Sequence, residues 1–232
     1  VLNIIYKCHY VSDRIFSRFA EIAANKYFES THVPKHFLKL LFLIEDKRFA
    51  LHMGIDPIAI CRAFLVNLEN RGVIEGGSTI VQQIYDIRQE KKGNHRQRII
   101  SRKVKQSVWV LINSFRVSKE TLLSEYLNTV YWGKSFYGID EACQGYFSIE
   151  RQQLSLAQSF FLAERIACPN ILIPYRVNVL LARPPIQHII NQDSFFSDEL
   201  INLYKKRFNT GKEICRFPEK FHKKSDEHMF RF

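Results

Sequence analysis

The chain has 232 residues, 46% of them hydrophobic and 25% charged, and carries a formal charge of +11. That length and balance exclude a disordered chain and fit one large domain, or one domain with a small lobe. The positive excess implies an anionic partner: phosphate, nucleic acid or a membrane surface. No stretch approaches the roughly 18 apolar residues that span a bilayer, and no signal peptide is evident, so any anchor is expected upstream of Val1. Cys8, Cys61, Cys143, Cys168 and Cys215 are odd in number, scattered and without metal-ligand spacing. They read as free thiols, mostly buried.

Nine glycines and seven prolines are few. Apolar residues recur at helical spacing, which predicts a mainly α fold. Ile15, Phe16, Phe19, Ile22, Ala23 and Tyr27 set a helix over 12–27 behind a Ser12-Asp13 cap. Pro34 breaks the chain before the next helix, in which Leu40 to Ile44 run straight into Glu45 and Asp46. Two readings are open there. The acids either end a core helix at the surface, or sit against apolar walls that raise a carboxyl pKa toward general acid or base work. Gly54 permits a turn, and Asp56-Pro57 is a cap plus first-turn proline for a helix ending at Gly72. Cys61, Phe64, Leu65 and Leu68 are expected to face a core from it.

Gly76-Gly77-Ser78-Thr79 opens onto another helix. Its N–H groups and hydroxyls either gather an anion or simply cap that helix. Residues 88–105 are strongly basic, with Glu90 their only acid, and read by default as a solvated face or loop. Ile100, Val104, Val108, Leu111 and Phe115 form an apolar stripe on a helix over 99–116. Arg98, Arg102 and Gln106, four apart with Lys103 beside them, line another face able to clamp a diphosphate. Ser118 caps a helix whose Leu122, Leu123, Tyr126 and Leu127 pack inward, and a short helix reaches Tyr146-Phe147. Ser155 and Gln158 make a capping box for an apolar helix ending at Cys168-Pro169. Helices over 179–191, interrupted by Pro184-Pro185, and over 198–209 precede a basic tail.

Together these stretches resemble glycosyltransferase family 51, the peptidoglycan glycosyltransferases of class A penicillin-binding proteins and monofunctional transglycosylases. Glu45-Asp46-x-x-Phe49-x-x-His52-x-Gly54-x-Asp56 is similar to its first motif, and Gly76-Gly77-Ser78-Thr79-Ile80-x-Gln82-Gln83 to its second. Arg102-Lys103-x-x-Gln106 occupies the third, and Lys119-x-x-Leu122-Leu123-x-x-Tyr126-Leu127-Asn128 the fourth. The resemblance implies a lysozyme-like helical domain with a small mobile lobe, over residues 37–192. An N-terminal helical segment, 1–36, and a C-terminal helix with a basic tail, 193–232, flank it.

The resemblance also implies an activity. A lipid-linked disaccharide-pentapeptide would be the acceptor, and its 4-hydroxyl would attack the donor anomeric carbon with inversion. Polyprenyl diphosphate would leave, in the logic of an inverting glycosidase. Glu45 would be the base, and Gln106 stands at the second catalytic position, where a glutamate is usual. Asp46, Phe49, His52, Ser78, Thr79, Gln82 and Gln83 would contact substrate, with Arg98, Arg102 and Lys103 on the diphosphate. No cofactor would be required, though a divalent cation (Mg or Mn) can help neutralise the leaving group. The partners implied are the precursor, the growing glycan strand and an anionic membrane surface, at the extracytoplasmic face of the cell membrane. No nucleic acid is expected, because no motif of that kind accompanies the charge. Tyr27, Phe28, Phe37 and Phe42 are candidates for docking on lipid, with core packing the alternative, above all for Phe42.

Two departures stand out. Gln106 replaces the glutamate, and Tyr85 and Asp86 stand where a lysine and an asparagine are usual. They point to an attenuated enzyme or, alternatively, to a non-catalytic relative that binds the precursor or a cell-wall partner. On the enzyme reading, Gln106→Glu is expected to raise turnover, and adding Tyr85→Lys to raise it further.

Overall fold

A computed structural model describes residues 2–69, 76–91 and 99–208, and within them the chain is built from eleven α-helices. In order these are α1 (Leu2–Thr31), α2 (Lys35–Glu45), α3 (Pro57–Glu69), α4 (Ile80–Lys91), α5 (Ile99–Arg116) and α6 (Lys119–Thr129). There follow α7 (Ile139–Phe147), α8 (Leu156–Arg165), α9 (Pro174–Leu181), α10 (Pro184–Ile190) and α11 (Phe196–Phe208). The β pairing among the described residues is a single antiparallel bridge between Tyr131 and Tyr137. The mainly helical expectation holds. Gly72, Arg98 and the basic tail lie outside the described residues.

Helix α2 is the centre because it is apolar nearly all round. Phe37, Leu38, Leu40, Leu41, Phe42 and Leu43 are all buried, as a helix wrapped on every side requires. It packs against α1 and α8, while α6 lies on α1 and α4, and α11 closes over α8. Each such side chain contributes about 1.5–3 kcal/mol on burial, so this helix anchors the site that it carries at its C-terminus. Sequence caps are realised at Ser118, whose hydroxyl accepts from Thr121 N–H, and at Ser155 with Gln158, which form the reciprocal box.

The structure differs from the sequence reading in several places. Helix α1 runs straight through Ser12-Asp13 and ends where Thr31 Oγ1 turns back on the Tyr27 carbonyl at 2.8 Å. The helix expected over 179–191 is two helices, each opened by a proline in its first turn, because proline starts a helix more readily than it continues one. Helix α8 ends at Arg165, short of Cys168.

One apolar face lies on the side away from the core, contrary to expectation, and a second apolar stripe is exposed as well. On α3, Cys61, Phe64, Leu65 and Leu68 are exposed (Phe64 by 65%), and Ala63 turns inward. On α5, Val104, Val108, Leu111 and Phe115 are exposed (Phe115 by 77%), while Gln106 and Val110 are buried. Both helices carry more apolar residues than one contact face can cover, and periodicity alone does not say which stripe is covered. Conversely, Tyr27, Phe37 and Phe42 are core and Phe28 packs against it, so these aromatics do not form a lipid-docking face.

Candidate active site

In the segment from Asp46 to Asp56, the polar side chains Asp46, Arg48, His52 and Asp56 are buried and paired, while Leu51 and Met53 are exposed. Asp46 Oδ1 pairs with His52 Nε2 at 2.8 Å, and its Oδ2 accepts the N–H of Ile80, the first residue of α4, at 3.1 Å. Gly54 N–H donates to His52 Nδ1 at 3.1 Å, so the ring proton sits on Nε2 and points at Asp46. Arg48 Nε donates to Asp56 Oδ2 at 2.7 Å, and Asp56 Oδ1 caps α3 through Ala59 N–H at 3.0 Å. Asp46, His52 and Asp56 crowd their polar atoms within 4.8 Å, yet each of those atoms already has an internal partner. Gly54 adopts φ +87°, and a Cβ there would lie 2.2 Å from Ser114 Oγ on α5, so the loop presses on α5 as only glycine allows.

Helix α4 starts at this loop. Thr79 Oγ1 donates to the Gly54 carbonyl and accepts Gln82 N–H, while Thr79 N–H donates to Gln82 Oε1 at 2.9 Å. That is a capping box written Thr-x-x-Gln. Gly77 lies flat on α3, where a Cβ would meet the Ile60 Cα at 3.0 Å. Phe49 stacks on Phe42 at 4.9 Å, and Lys119 from α6 donates to its carbonyl. Asp46, Phe49, His52, Thr79 and Gln82 are all buried, and the side-chain polar atoms of Asp46, His52 and Thr79 are hydrogen-bonded within the fold.

Glu45, the last residue of α2, remains at the edge with 9% of its side chain exposed. Gln83 Nε2 donates to its Oε2 at 3.0 Å. The Tyr126 hydroxyl donates to Gln83 Oε1 at 2.7 Å and so fixes which end of the amide faces the acid. Burial pushes the Glu45 carboxyl above the usual carboxylate range, against the downward pull of Gln83 and of Arg176. Burial also keeps the Tyr126 hydroxyl protonated and a donor.

Arg176, from α9, spans two carboxylates, with Glu45 Oε1 at 3.5 Å and Glu164 Oε1 at 3.8 Å. Glu164 is itself gripped by both Nε and Nη2 of Arg165 and by the Tyr204 hydroxyl at 3.0 Å. Arg176 and this pair escaped the sequence reading. A signal was present, since Phe160 to Ala163 run apolar into Glu164 as Leu40 to Ile44 run into Glu45.

The other face of α4 meets α5. Gln106 is fully buried, and its Nε2 donates both to the Gln82 carbonyl and to Asp86 Oδ2, each at 2.9 Å. Its Oε1 accepts Lys103 Nζ at 2.9 Å, and Lys103 also reaches Ser78 Oγ at 3.1 Å. Arg102 Nη1 lies 3.6 Å from Asp86 Oδ1. A glutamate at 106 would direct carboxylate oxygens at a carbonyl and at a second carboxylate, which argues against the rise in turnover expected of Gln106→Glu. Tyr85 is buried against Trp109, and a lysine there would bury an ammonium rather than reach a phosphate. The expectation for Tyr85→Lys falls with it. Arg98 lies outside the described residues.

The predicted residues thus gather on the two sides of α4: Glu45 and Gln83 on one, Ser78, Arg102, Lys103 and Gln106 on the other. A polar cavity of about 540 Å³ near Thr31, Asn128, Asp140 and Arg151 contains none of them.

A family model described as Transglycosylase matches residues 12–191. Penicillin-binding protein 1B of Haemophilus influenzae is 31% identical over 180 residues, 75% of this chain and 22% of that protein. Penicillin-binding protein 1A of Aquifex aeolicus is 32% identical over 149 residues, 64% of this chain and 20% of that protein. Biosynthetic peptidoglycan transglycosylase of Nitrosomonas eutropha is 30% identical over 173 residues, 71% of this chain and 69% of that protein. The chain therefore spans about a fifth of the penicillin-binding proteins that it matches.

Proposed function

This chain belongs to the transglycosylase family, and we propose that it polymerises peptidoglycan glycan strands from a lipid-linked disaccharide-pentapeptide. The observation that carries the reading is Glu45, a carboxylate at the edge of the core whose proton affinity is raised by burial and whose orientation is fixed by Gln83. Glu45 takes the proton of the acceptor 4-hydroxyl as the hydroxyl oxygen bonds to the donor anomeric carbon. The bond from that carbon to the diphosphate breaks on the opposite face, with inversion, and the electron pair leaves on polyprenyl diphosphate. Arg102 and Lys103 receive the diphosphate, with Ser78 beside them.

A divalent cation, Mg or Mn, does not fit the described residues here: Asp86, the carboxylate beside Arg102 and Lys103, accepts from Gln106 through Oδ2 and faces the Arg102 guanidinium at 3.6 Å through Oδ1. Membrane contact is assigned to the exposed apolar residues of α3 and α5, Phe64, Leu65, Leu68, Val108, Leu111 and Phe115, which meet a substrate that is itself lipid-linked. Work at the outer face of a bacterial cell membrane follows from that substrate. Among the described residues no helix is long and apolar enough to cross a membrane.

The test is to incubate the purified chain with labelled lipid-linked disaccharide-pentapeptide and separate polymer from monomer on a gel. Polymer from wild type and none from Glu45→Gln is the expected result. Precursor binding without polymer from wild type would overturn it in favour of a non-catalytic relative.

A further inference from the structure

The two departures from the family pattern, at residues 86 and 106, meet in space. Gln106 has no freedom in the buried slot where it stands, because both of its amide hydrogens are spent, on the Gln82 carbonyl and on Asp86, while its oxygen accepts Lys103. An amide is the one side chain of this shape that can donate twice and accept at once. The donation to Asp86 fixes the Oδ2 side of that carboxylate and turns Oδ1 toward Arg102, 3.6 Å away. Among the described residues, Asp86 is the carboxylate that touches this group of cations.

We propose that Asp86 is the positioning acid of the diphosphate clamp. It holds Arg102 against α4 and shields Arg102 and Lys103 from one another, while Gln106 fixes Asp86 in place. The assignment rests on reading Arg102 and Lys103 as the residues that receive the diphosphate. Adjacent cations on one helical turn repel each other, and a 40% exposed arginine without an anchor spreads into solvent. Burial and the Arg102 charge both push the Lys103 ammonium down toward neutrality, and Asp86 works against them. The acid thus holds Arg102 in place and favours the charged form of Lys103 for an anion.

The sign of one substitution separates this role from the simpler one. An acid that merely intrudes on an anion site repels phosphate, so removing its charge would tighten binding. A positioning acid does the reverse. Asp86→Asn keeps the shape and the oxygen that accepts from Gln106, and deletes only the charge.

The measurement is the affinity of the purified chain for inorganic pyrophosphate in the presence of EDTA, by calorimetry, alongside kcat and KM for polymerisation. Asp86→Asn is expected to weaken pyrophosphate binding about tenfold, near the low end for a charged contact, and to raise KM similarly with kcat within about threefold. Gln106→Glu is expected to weaken binding at least as much. The exchange Asp86→Asn with Gln106→Glu, which returns one carboxylate and one amide to the pair, is expected to recover to within about threefold of wild type. Should Asp86→Asn not fold, the exchange variant decides alone, by binding pyrophosphate like wild type or failing to.

A lower melting temperature for Asp86→Asn with unchanged pyrophosphate affinity would mark a purely structural acid and overturn the proposal. So would tighter binding, or no binding by wild type. If wild type makes no polymer yet Asp86→Asn still weakens pyrophosphate, the polymerase reading fails and the clamp stands.

Discussion

On one face of α4, Gln83 donates to Glu45, a carboxylate pressed into the core with Arg176 at 3.5 Å. On the neighbouring flank, Asp86 accepts from Gln106 and sits among Arg102 and Lys103, about a quarter exposed. Burial makes the charge on Glu45 costly, so the group readily takes a proton. Asp86 instead faces the Arg102 guanidinium at 3.6 Å. A base must change protonation state during turnover, and a clamp must not. One helix supports both because Gln83 and Asp86, three residues apart, lie on neighbouring flanks of α4, the first toward α2 and α6 and the second toward α5.

The largest effect that would break this contrast is loss of Glu45. Glu45→Gln should lower turnover by about 10²–10⁴-fold, measured as initial polymerisation rate, the usual range for a general base. Stability should move the other way. The folded-state pKa of Glu45 is raised, so its contribution is present below the ordinary glutamate pKa and is lost as pH rises through the folded value. Glu45→Gln should therefore melt higher than wild type at pH 7, with the gap closing toward pH 4, where both are neutral.

Next in size is the scaffold beneath that face. Asp46→Ala leaves His52 Nε2 and the Ile80 N–H without acceptors, and should cost about 3 kcal/mol, or roughly 6–12 °C in Tm. Gln83→Leu is milder and sharper. It removes a donor that lowers the Glu45 pKa, so the acid limb of the pH–rate profile should shift upward, with turnover at neutral pH down about tenfold. Smallest is the outer surface. Phe64→Ser with Leu68→Ser should leave stability within about 0.5 kcal/mol per site while reducing co-sedimentation with anionic liposomes.

The helices, their caps and the acid at the end of α2 were legible in the sequence because each is local. An apolar run, a Ser-x-x-Gln box or a first-turn proline carries its own signal. Which apolar residues of α3 face the core is not local, since it depends on what packs alongside, and the expected set, Cys61, Phe64, Leu65 and Leu68, is exposed. The same holds for the site. Glu45 and the Arg102-Lys103 pair were visible as residue types at their spacing. Arg176 reaches Glu45 from 131 positions away, and nothing near it in the chain marks the contact. Gln106 looked like an eroded glutamate because its partner Asp86 was read as a separate change, until 2.9 Å joined them.

The division of labour across α4 is tested most directly by measuring kcat and KM for Gln83→Leu and Asp86→Asn side by side on the lipid-linked precursor. Gln83→Leu should lose kcat with KM nearly unchanged, and Asp86→Asn should raise KM about tenfold with kcat nearly unchanged. Both variants falling in the same parameter, or Asp86→Asn lowering KM, would contradict it.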